Sequence, residues 1–287
     1  MSEIVVSGLL APDALLAQLG DDNLVILDIR SAIDGGGRAA YEAGHIPGAV
    51  HTDYVVDGWR ATIGNAPGML PPLDHLSALV GRLGIKPHDD VVIVPAGVSA
   101  TDFAAAARIY WTLKTIGHGQ QAILDGGFRA WAEGSRPVET GTSAPKGADP
   151  YPVVMQQRLR STADATLIAS RSKFATLVDA RSASYFDGQE KAPEAARAGH
   201  IPGAVSHDYT QAFDPATGRL KPRDELAKLF GAVPKGPAIS YCNTGHTAAL
   251  NWFVMSEVLG RDEVALYDGS MTDWTQDPDR PVATNAC

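Results

Sequence analysis

Short aliphatic runs and longer amphipathic stretches alternate along this chain, and the alternation occurs twice. In the first half, Leu24–Leu27, Val91–Val94 and Ala122–Leu124 are unbroken apolar runs of strand length. Between them, Leu76–Leu83 and Phe103–Thr115 have helical spacing, the second with apolar residues on most faces. In the second half, Thr176–Val178, Ala238–Tyr241 and Val264–Tyr267 predict strands, and Glu225–Phe230 and Thr247–Leu259 predict helices. Strands that are apolar on both faces and separated by helices imply a parallel sheet covered on both sides, an α/β architecture. Only Asn251, Ser256 and Glu257 interrupt the apolar character of Ala248–Leu259, which fits a helix buried against such a sheet.

The alternation is duplicated because the sequence is. Gly44-His45-Ile46-Pro47-Gly48-Ala49-Val50 recurs as Gly199-His200-Ile201-Pro202-Gly203-Ala204-Val205. Each copy follows an apolar run that ends in Asp-x-Arg, Asp28-Ile29-Arg30 and Asp179-Ala180-Arg181. Further on, Leu124-Asp125-Gly126-Gly127 with Trp131 answers Tyr267-Asp268-Gly269-Ser270 with Trp274. Val138–Pro152, rich in Gly, Pro, Ser, Thr and Lys and without a period, reads as a linker. This divides the chain into a first domain over residues 1–138, a linker over 139–157 and a second domain over 158–287. Two similar domains joined this way are expected to pack together, with their cleft as a ligand site.

Composition narrows the functional classes. The 287 residues are 45% hydrophobic and 20% charged, enough for two ordinary cores. The formal net charge of -9 argues against a sequence-independent nucleic-acid binder. No run is long enough to span a membrane, and Met1–Val6 has neither a basic n-region nor a long apolar h-region. Two cysteines, Cys242 and Cys287, make no disulfide framework, which suits a reducing, cytoplasmic setting. The eight histidines form no Cys/His cluster with zinc-ligand spacing, so a metal site is not expected.

Candidate chemistry lies where the strand Ala238–Tyr241 gives way to Cys242-Asn243-Thr244-Gly245-His246-Thr247 and then to a helix. A tight strand-to-helix loop aims backbone N–H groups at one point, and the helix N-terminus adds positive potential there. Thiolates in such surroundings have pKa values lowered from about 8.5 to roughly 3.5–7.5. The bland alternative is a buried structural cysteine. The first half has Val94-Pro95-Ala96-Gly97-Val98-Ser99-Ala100-Thr101-Asp102 at this place, read from the sequence as a longer loop, and it lacks a thiol. An active second domain and a silent first one are therefore expected.

Asp-x-Arg, the two Gly-His-Ile-Pro-Gly-Ala motifs, the cysteine loop and the Asp-Gly plus Trp near each domain end together resemble the tandem rhodanese-type sulfurtransferases, over nearly the whole chain. The resemblance implies two rhodanese-like α/β domains and a Cys242 that takes a sulfane sulfur from a donor, holds it as a persulfide and passes it to cyanide or a thiol. Thiosulfate-preferring relatives carry Cys-Arg-x-Gly, and mercaptopyruvate-preferring ones Cys-Gly-Ser/Thr-Gly-x-Thr. This loop matches the second pattern at Thr244, Gly245 and Thr247, departs from it at Asn243 and His246, and contains no Arg or Lys. The hydroxyl that the mercaptopyruvate enzymes use beside the cysteine is that of Thr244 here. Either donor is an anion, and its cations can be His246, when protonated, or groups from outside the loop. The resemblance places substrate-binding residues between Asp179 and His200, where Arg181, Lys191 and Arg197 fall, with Ser184 where a second arginine is expected. From the first half, Arg60 in Asp57-Gly58-Trp59-Arg60 offers a planar fork suited to an anion.

Several residues have structural alternatives. Asp28 with Arg30 reads as an internal brace, and Arg181 stands between bracing and substrate contact. His45 and His200 occur in both copies, one of which lacks the thiol, so they read as structural, as do Trp131 and Trp274. His246 has no counterpart in the first copy, and as an imidazolium near the sulfur it would favour the thiolate. Cys287 reads as a tail thiol. Of two rival functions, the first is disfavoured. A cysteine phosphatase requires Cys-x5-Arg, whereas Ala248 stands six positions after Cys242. A non-catalytic binding or sulfur-carrier module is the other.

Overall fold

Both halves build the parallel sheet that their apolar runs predict. In the computed structural model, which describes residues 8–34 and 36–285, the chain forms two compact units. Met1–Val6 and Cys287 lie outside the described residues. One unit comprises the chain up to Trp59, Pro71–Gln156 and Phe213–Leu220; the other comprises Arg60–Leu70, Gln157–Ala212 and the chain from Lys221 on.

The first unit has a five-stranded sheet in the order Leu9–Leu10, Gln121–Leu124, Asp90–Val94, Leu24–Asp28, Val50–His51, every pair parallel. Its longest helix, Ala100–Thr115, is buried along nearly its whole length. The core gathers Ile26, Val92, Val94, Ala122 and Leu124 from the strands with Leu15, Tyr41, Ile46 and Trp131. The second unit has four parallel strands in the order Val264–Leu266, Ala238–Tyr241, Thr176–Asp179, Val205–Ser206. Its core sets Leu177, Ile239 and Tyr241 against Ile201, Tyr267, Met271 and Trp274.

The units follow the repeat without being contiguous in sequence. The antiparallel hairpin Ala61–Ile63/Ala66–Met69 belongs to the second unit, although the first Gly-His-Ile-Pro motif precedes it. The hairpin Phe213–Asp214/Arg219–Leu220 belongs to the first. The Gly/Pro/Ser-rich stretch is also tied down. Glu139 bridges to His45, Ala148 N–H bonds to Gly81 O, Tyr151 to Ser77 O, Val154 to Ile116 O and Gln156 to Thr115 O, all within the first unit. Composition signals a linker there because it does not register which backbone groups find partners.

The repeated motifs perform the same structural work in each unit. Arg30 grips Asp28 at 2.9 and 2.7 Å and donates to Gly44 O at 2.7 Å; Arg181 grips Asp179 at 2.9 and 2.6 Å and donates to Gly199 O at 2.8 Å. His45 Nδ1 meets Tyr41 O at 2.9 Å, and His200 Nδ1 meets Phe186 O at 2.8 Å. Both Trp131 and Trp274 are buried and donate to the carbonyls of Pro137 and Pro281 at 2.8 Å.

Two expectations change. The helix read as Thr247–Leu259 is α-helical over Ala248–Phe253 and continues as a π-helical turn over Val254–Val258, closed by Leu259 N–H to Val254 O at 2.9 Å. The first-unit loop between strand and helix, Pro95–Ser99, is one residue shorter than Cys242–Thr247, not longer. The helix there begins as early as Ala100 because Ser99 caps it, its hydroxyl accepting from Asp102 N–H at 3.1 Å.

The short loop is filled by the same helix. The Asp102 carboxylate accepts the N–H groups of Ala96, Gly97 and Val98 at 3.1, 2.7 and 3.2 Å. Burial pushes its carboxyl from the ordinary 3.8 up to about 6, against the pull of those three N–H bonds and with a further push from Asp34. The folded-state value lies above the unfolded one, so the native chain keeps this proton where the unfolded chain has released it. The stability this confers is fully present below about pH 4 and is lost as the pH rises through about 6. Asp102→Asn cannot titrate. Relative to that variant, the wild type should lose up to about 3 kcal/mol of stability between about pH 4 and pH 7. Urea unfolding across that range checks this, and a pH-independent difference would contradict it.

Candidate active site

Cys242 follows directly on Ala238–Tyr241, an internal strand buried at every position. Its backbone is held on both sides. Cys242 N–H donates to Ser270 Oγ at 3.0 Å, and Cys242 O accepts from Met271 N–H at 3.1 Å. The same Ser270 Oγ accepts from Gly245 N–H at 3.0 Å and donates to Tyr267 O at 2.8 Å, while Asn243 O accepts from Thr272 N–H at 3.0 Å. Gly245 turns the loop at φ 67°, in the left-handed region that favours glycine. Cys242, Gly245 and His246 are buried, whereas Asn243, Thr244 and Thr247 are half-buried. His246 O and Thr247 O accept the amides of Ala249 and Leu250 as the helix begins.

Two guanidinium groups meet this loop. Arg181, besides gripping Asp179, points Nη1 at Asn243 Oδ1, 3.4 Å away. Burial alone would lower the pKa of Arg181, but Asp179 outweighs it, with Tyr241 and Cys242 adding to the rise, so its charge is secure. Arg30, its counterpart, turns Nη1 to Ala40 O at 3.2 Å instead. Bracing and loop contact therefore coexist in Arg181. Arg60 donates from Nη2 to Thr244 Oγ1 at 2.9 Å. Because that oxygen is engaged as an acceptor, the Thr244 hydroxyl proton is left to point elsewhere.

The other cations are placed differently. Arg197 spends its guanidinium on the carbonyls of Asp277, Pro278 and Arg280, at 2.7, 3.5 and 2.8 Å, tying down the segment before Trp274's partner Pro281. Lys191 bonds to Ala195 O at 2.8 Å and Ala192 O at 3.4 Å, and Ser184 donates to Glu190 at 3.2 Å. Among the described residues, no group of three or more His, Cys, Asp or Glu side chains could hold a metal ion, and no helix is long and apolar enough to cross a membrane.

The hairpin that carries Arg60 is fixed at its far end by Asp268. The carboxylate, 1% exposed, accepts Leu70 N–H at 2.6 Å and Arg160 Nε at 2.8 Å. Gly68 passes closely over the loop at φ 85°, where a Cβ would collide with Thr244 and with the Arg60 guanidinium.

Two parallel-sheet α/β units, one with a buried cysteine on a strand-to-helix loop that two arginines address, are the features set beside known proteins. The chain belongs to the rhodanese family: the rhodanese-like domain matches residues 11–134 and again 162–277. It is 33% identical over 276 residues to the thiosulfate sulfurtransferase of Pseudomonas aeruginosa, covering 94% of this chain and 95% of that one. It is 34% identical over 278 residues to the thiosulfate sulfurtransferase of Azotobacter vinelandii, with the same coverage. Among solved structures, SseA of Escherichia coli, a 3-mercaptopyruvate sulfurtransferase, matches with a TM-score of 0.77 at 27% identity, over 92% of this chain and 98% of that one. The chain is accordingly a sulfurtransferase with tandem rhodanese-like domains.

Sequence reasoning did not single out Ser270, Asp102 or Gly68. The signal for Ser270 was present, since Asp268-Gly269-Ser270 departs from Asp125-Gly126-Gly127 at that residue. Gly68→Ala should strain the backbone and push Arg60 off Thr244, costing about 1–3 kcal/mol. Urea unfolding measures the loss; wild-type stability would mean that the hairpin does not pass so close.

Proposed function

We propose that this chain moves a sulfane sulfur from a small anionic donor, thiosulfate or 3-mercaptopyruvate, through a Cys242 persulfide to a thiophilic acceptor such as cyanide or a thiol. The observation that carries the reading is the meeting of Arg60 with Thr244 and Arg181 with Asn243, which gives a cation-free cysteine loop two fixed positive charges. The Cys242 thiolate attacks the sulfane sulfur. The bond from that sulfur to the rest of the donor breaks, and its electron pair leaves with sulfite or with the enolate of pyruvate, which then takes up a proton. The acceptor next attacks the outer sulfur of the persulfide, releasing thiocyanate or a new persulfide and restoring the Cys242 thiolate. No cofactor enters this balance.

Each loop residue has a part. Arg60 and Arg181 draw and orient the sulfonate or carboxylate, Arg60 with the fork geometry that suits either group. The Thr244 hydroxyl, its oxygen engaged by Arg60, offers its proton to the sulfur or the donor. Asn243, Gly245, His246 and Thr247 shape the loop, Gly245 with its N–H given to Ser270 Oγ, and the other loop amides favour an anionic sulfur over a neutral one. Arg197 acts at a distance by fixing the segment around Asp277–Arg280. The thiosulfate activity of the Pseudomonas and Azotobacter relatives and the mercaptopyruvate activity of SseA support both donors. The acidic balance and the two-cysteine composition support a cytoplasmic setting and small-molecule substrates rather than nucleic acid.

Steady-state assays with each donor and with cyanide as acceptor test the proposal. Cys242→Ser should abolish transfer from both, and Cys287→Ser should retain near-normal turnover. Arg60→Ala should raise the donor KM about tenfold, the size of a lost charge-assisted hydrogen bond. Turnover by Cys242→Ser would overturn the persulfide route, and an unchanged KM in Arg60→Ala would remove Arg60 from donor binding.

A further inference from the structure

Ser270 is the one described residue near the cysteine whose backbone departs from what its side chain favours. It opens the helix Ser270–Trp274 at φ 51°, in the left-handed region, with its side chain fully buried. A non-glycine residue there is strained, and such strain persists where surrounding contacts demand it. The contacts are explicit. Its hydroxyl accepts two N–H groups, from Cys242 and Gly245, and donates its one proton to Tyr267 O. All three capacities of the hydroxyl are used, so it has no proton to exchange with the sulfur.

We infer that Ser270 is the positioning residue of the cysteine loop: by taking the N–H groups of Cys242 and Gly245 on one oxygen, it sets the curvature of the loop and the place of the sulfur. With Met271 N–H on Cys242 O, the peptide groups on both sides of Cys242 are pinned, and little beyond the rotation about Cα–Cβ is left to the thiol.

The first unit supplies an internal comparison. Phe128 N–H and Arg129 N–H bond to Pro95 O and Ala96 O, as Met271 and Thr272 bond to Cys242 O and Asn243 O, so Gly127 stands where Ser270 does. Gly127 has φ 59°, and a Cβ there would strike Pro95 O and Gly97 N. With no hydroxyl available, that loop draws on Asp102, a carboxylate from the third residue of its helix, where the second unit has Leu250. Both loops are held by an internal acceptor, but only the loop with the cysteine uses a neutral one. A carboxylate at that place would oppose a thiolate and an anionic donor alike.

This inference rests on the sulfurtransferase reading only for its kinetic arm. Ser270→Gly removes the hydroxyl and relieves the backbone; Ser270→Ala removes the hydroxyl and keeps the strain. Both are made in a Cys287→Ser background and reacted with iodoacetamide, a neutral electrophile that owes nothing to the arginines. The expected result is alkylation of Cys242 slowed at least about tenfold in both variants, as misplacing a reacting atom does. The kcat should fall by a similar factor with donor KM within about twofold, and the Gly variant should melt higher than the Ala variant. Wild-type alkylation rates and kcat alongside a lowered melting temperature would overturn the inference and leave Ser270 as a helix start alone. Absence of sulfur transfer in the wild type would instead sink the functional reading, and the alkylation rates would still decide the role of Ser270.

Discussion

A loop that leaves a buried strand carries N–H groups into a place where water cannot serve them, and each one left without an acceptor costs about 1–3 kcal/mol. That constraint governs both units. Behind Pro95–Ser99 the acceptor is the Asp102 carboxylate, and behind Cys242–Thr247 it is the Ser270 hydroxyl. The choice sets the charge beside each loop, because one acceptor brings a negative charge and the other does not. The two loops therefore differ beyond the exchange of Pro95 for Cys242, in the group that holds each of them in shape.

The arginines divide along a similar line. Arg30 and Arg181 occupy equivalent places and grip Asp28 and Asp179 in the same way, and bidentate pairing fixes each buried guanidinium in place. They differ in one remaining N–H group: Arg30 gives it to Ala40 O, Arg181 to Asn243. A structural pair thus lends one hydrogen bond to the site at little further cost in ordering. Arg60 arrives by a different route, on a hairpin anchored through Leu70 to Asp268.

Much of this was legible in the sequence, for reasons that are physical. The sheet strands buried on both faces are unbroken apolar runs, and Ala238–Tyr241 was located to the residue. The repeat pointed to the braces, and a thiol at a strand end made Cys242 the candidate. Two-residue strands such as Leu9–Leu10 and Val50–His51 leave no periodicity to read, and they form because an existing edge offers them hydrogen bonds. The membership of Ala61–Met69 in the second unit depends on contacts far away in sequence, such as Leu70 with Asp268, which local pattern does not encode. The role of Ser270 is hidden for another reason: a serine in the left-handed region looks like any serine until its φ is known.

The central claim is that Cys242 carries the transferred sulfur in a loop shaped to hold it. The most direct measurement is the mass of the intact protein after exposure to thiosulfate or 3-mercaptopyruvate, followed by peptide mapping. The account predicts a gain of one sulfur atom, located on the peptide that contains Cys242 and removed by cyanide. No gain with either donor, or a sulfur that maps to a different residue, would contradict it.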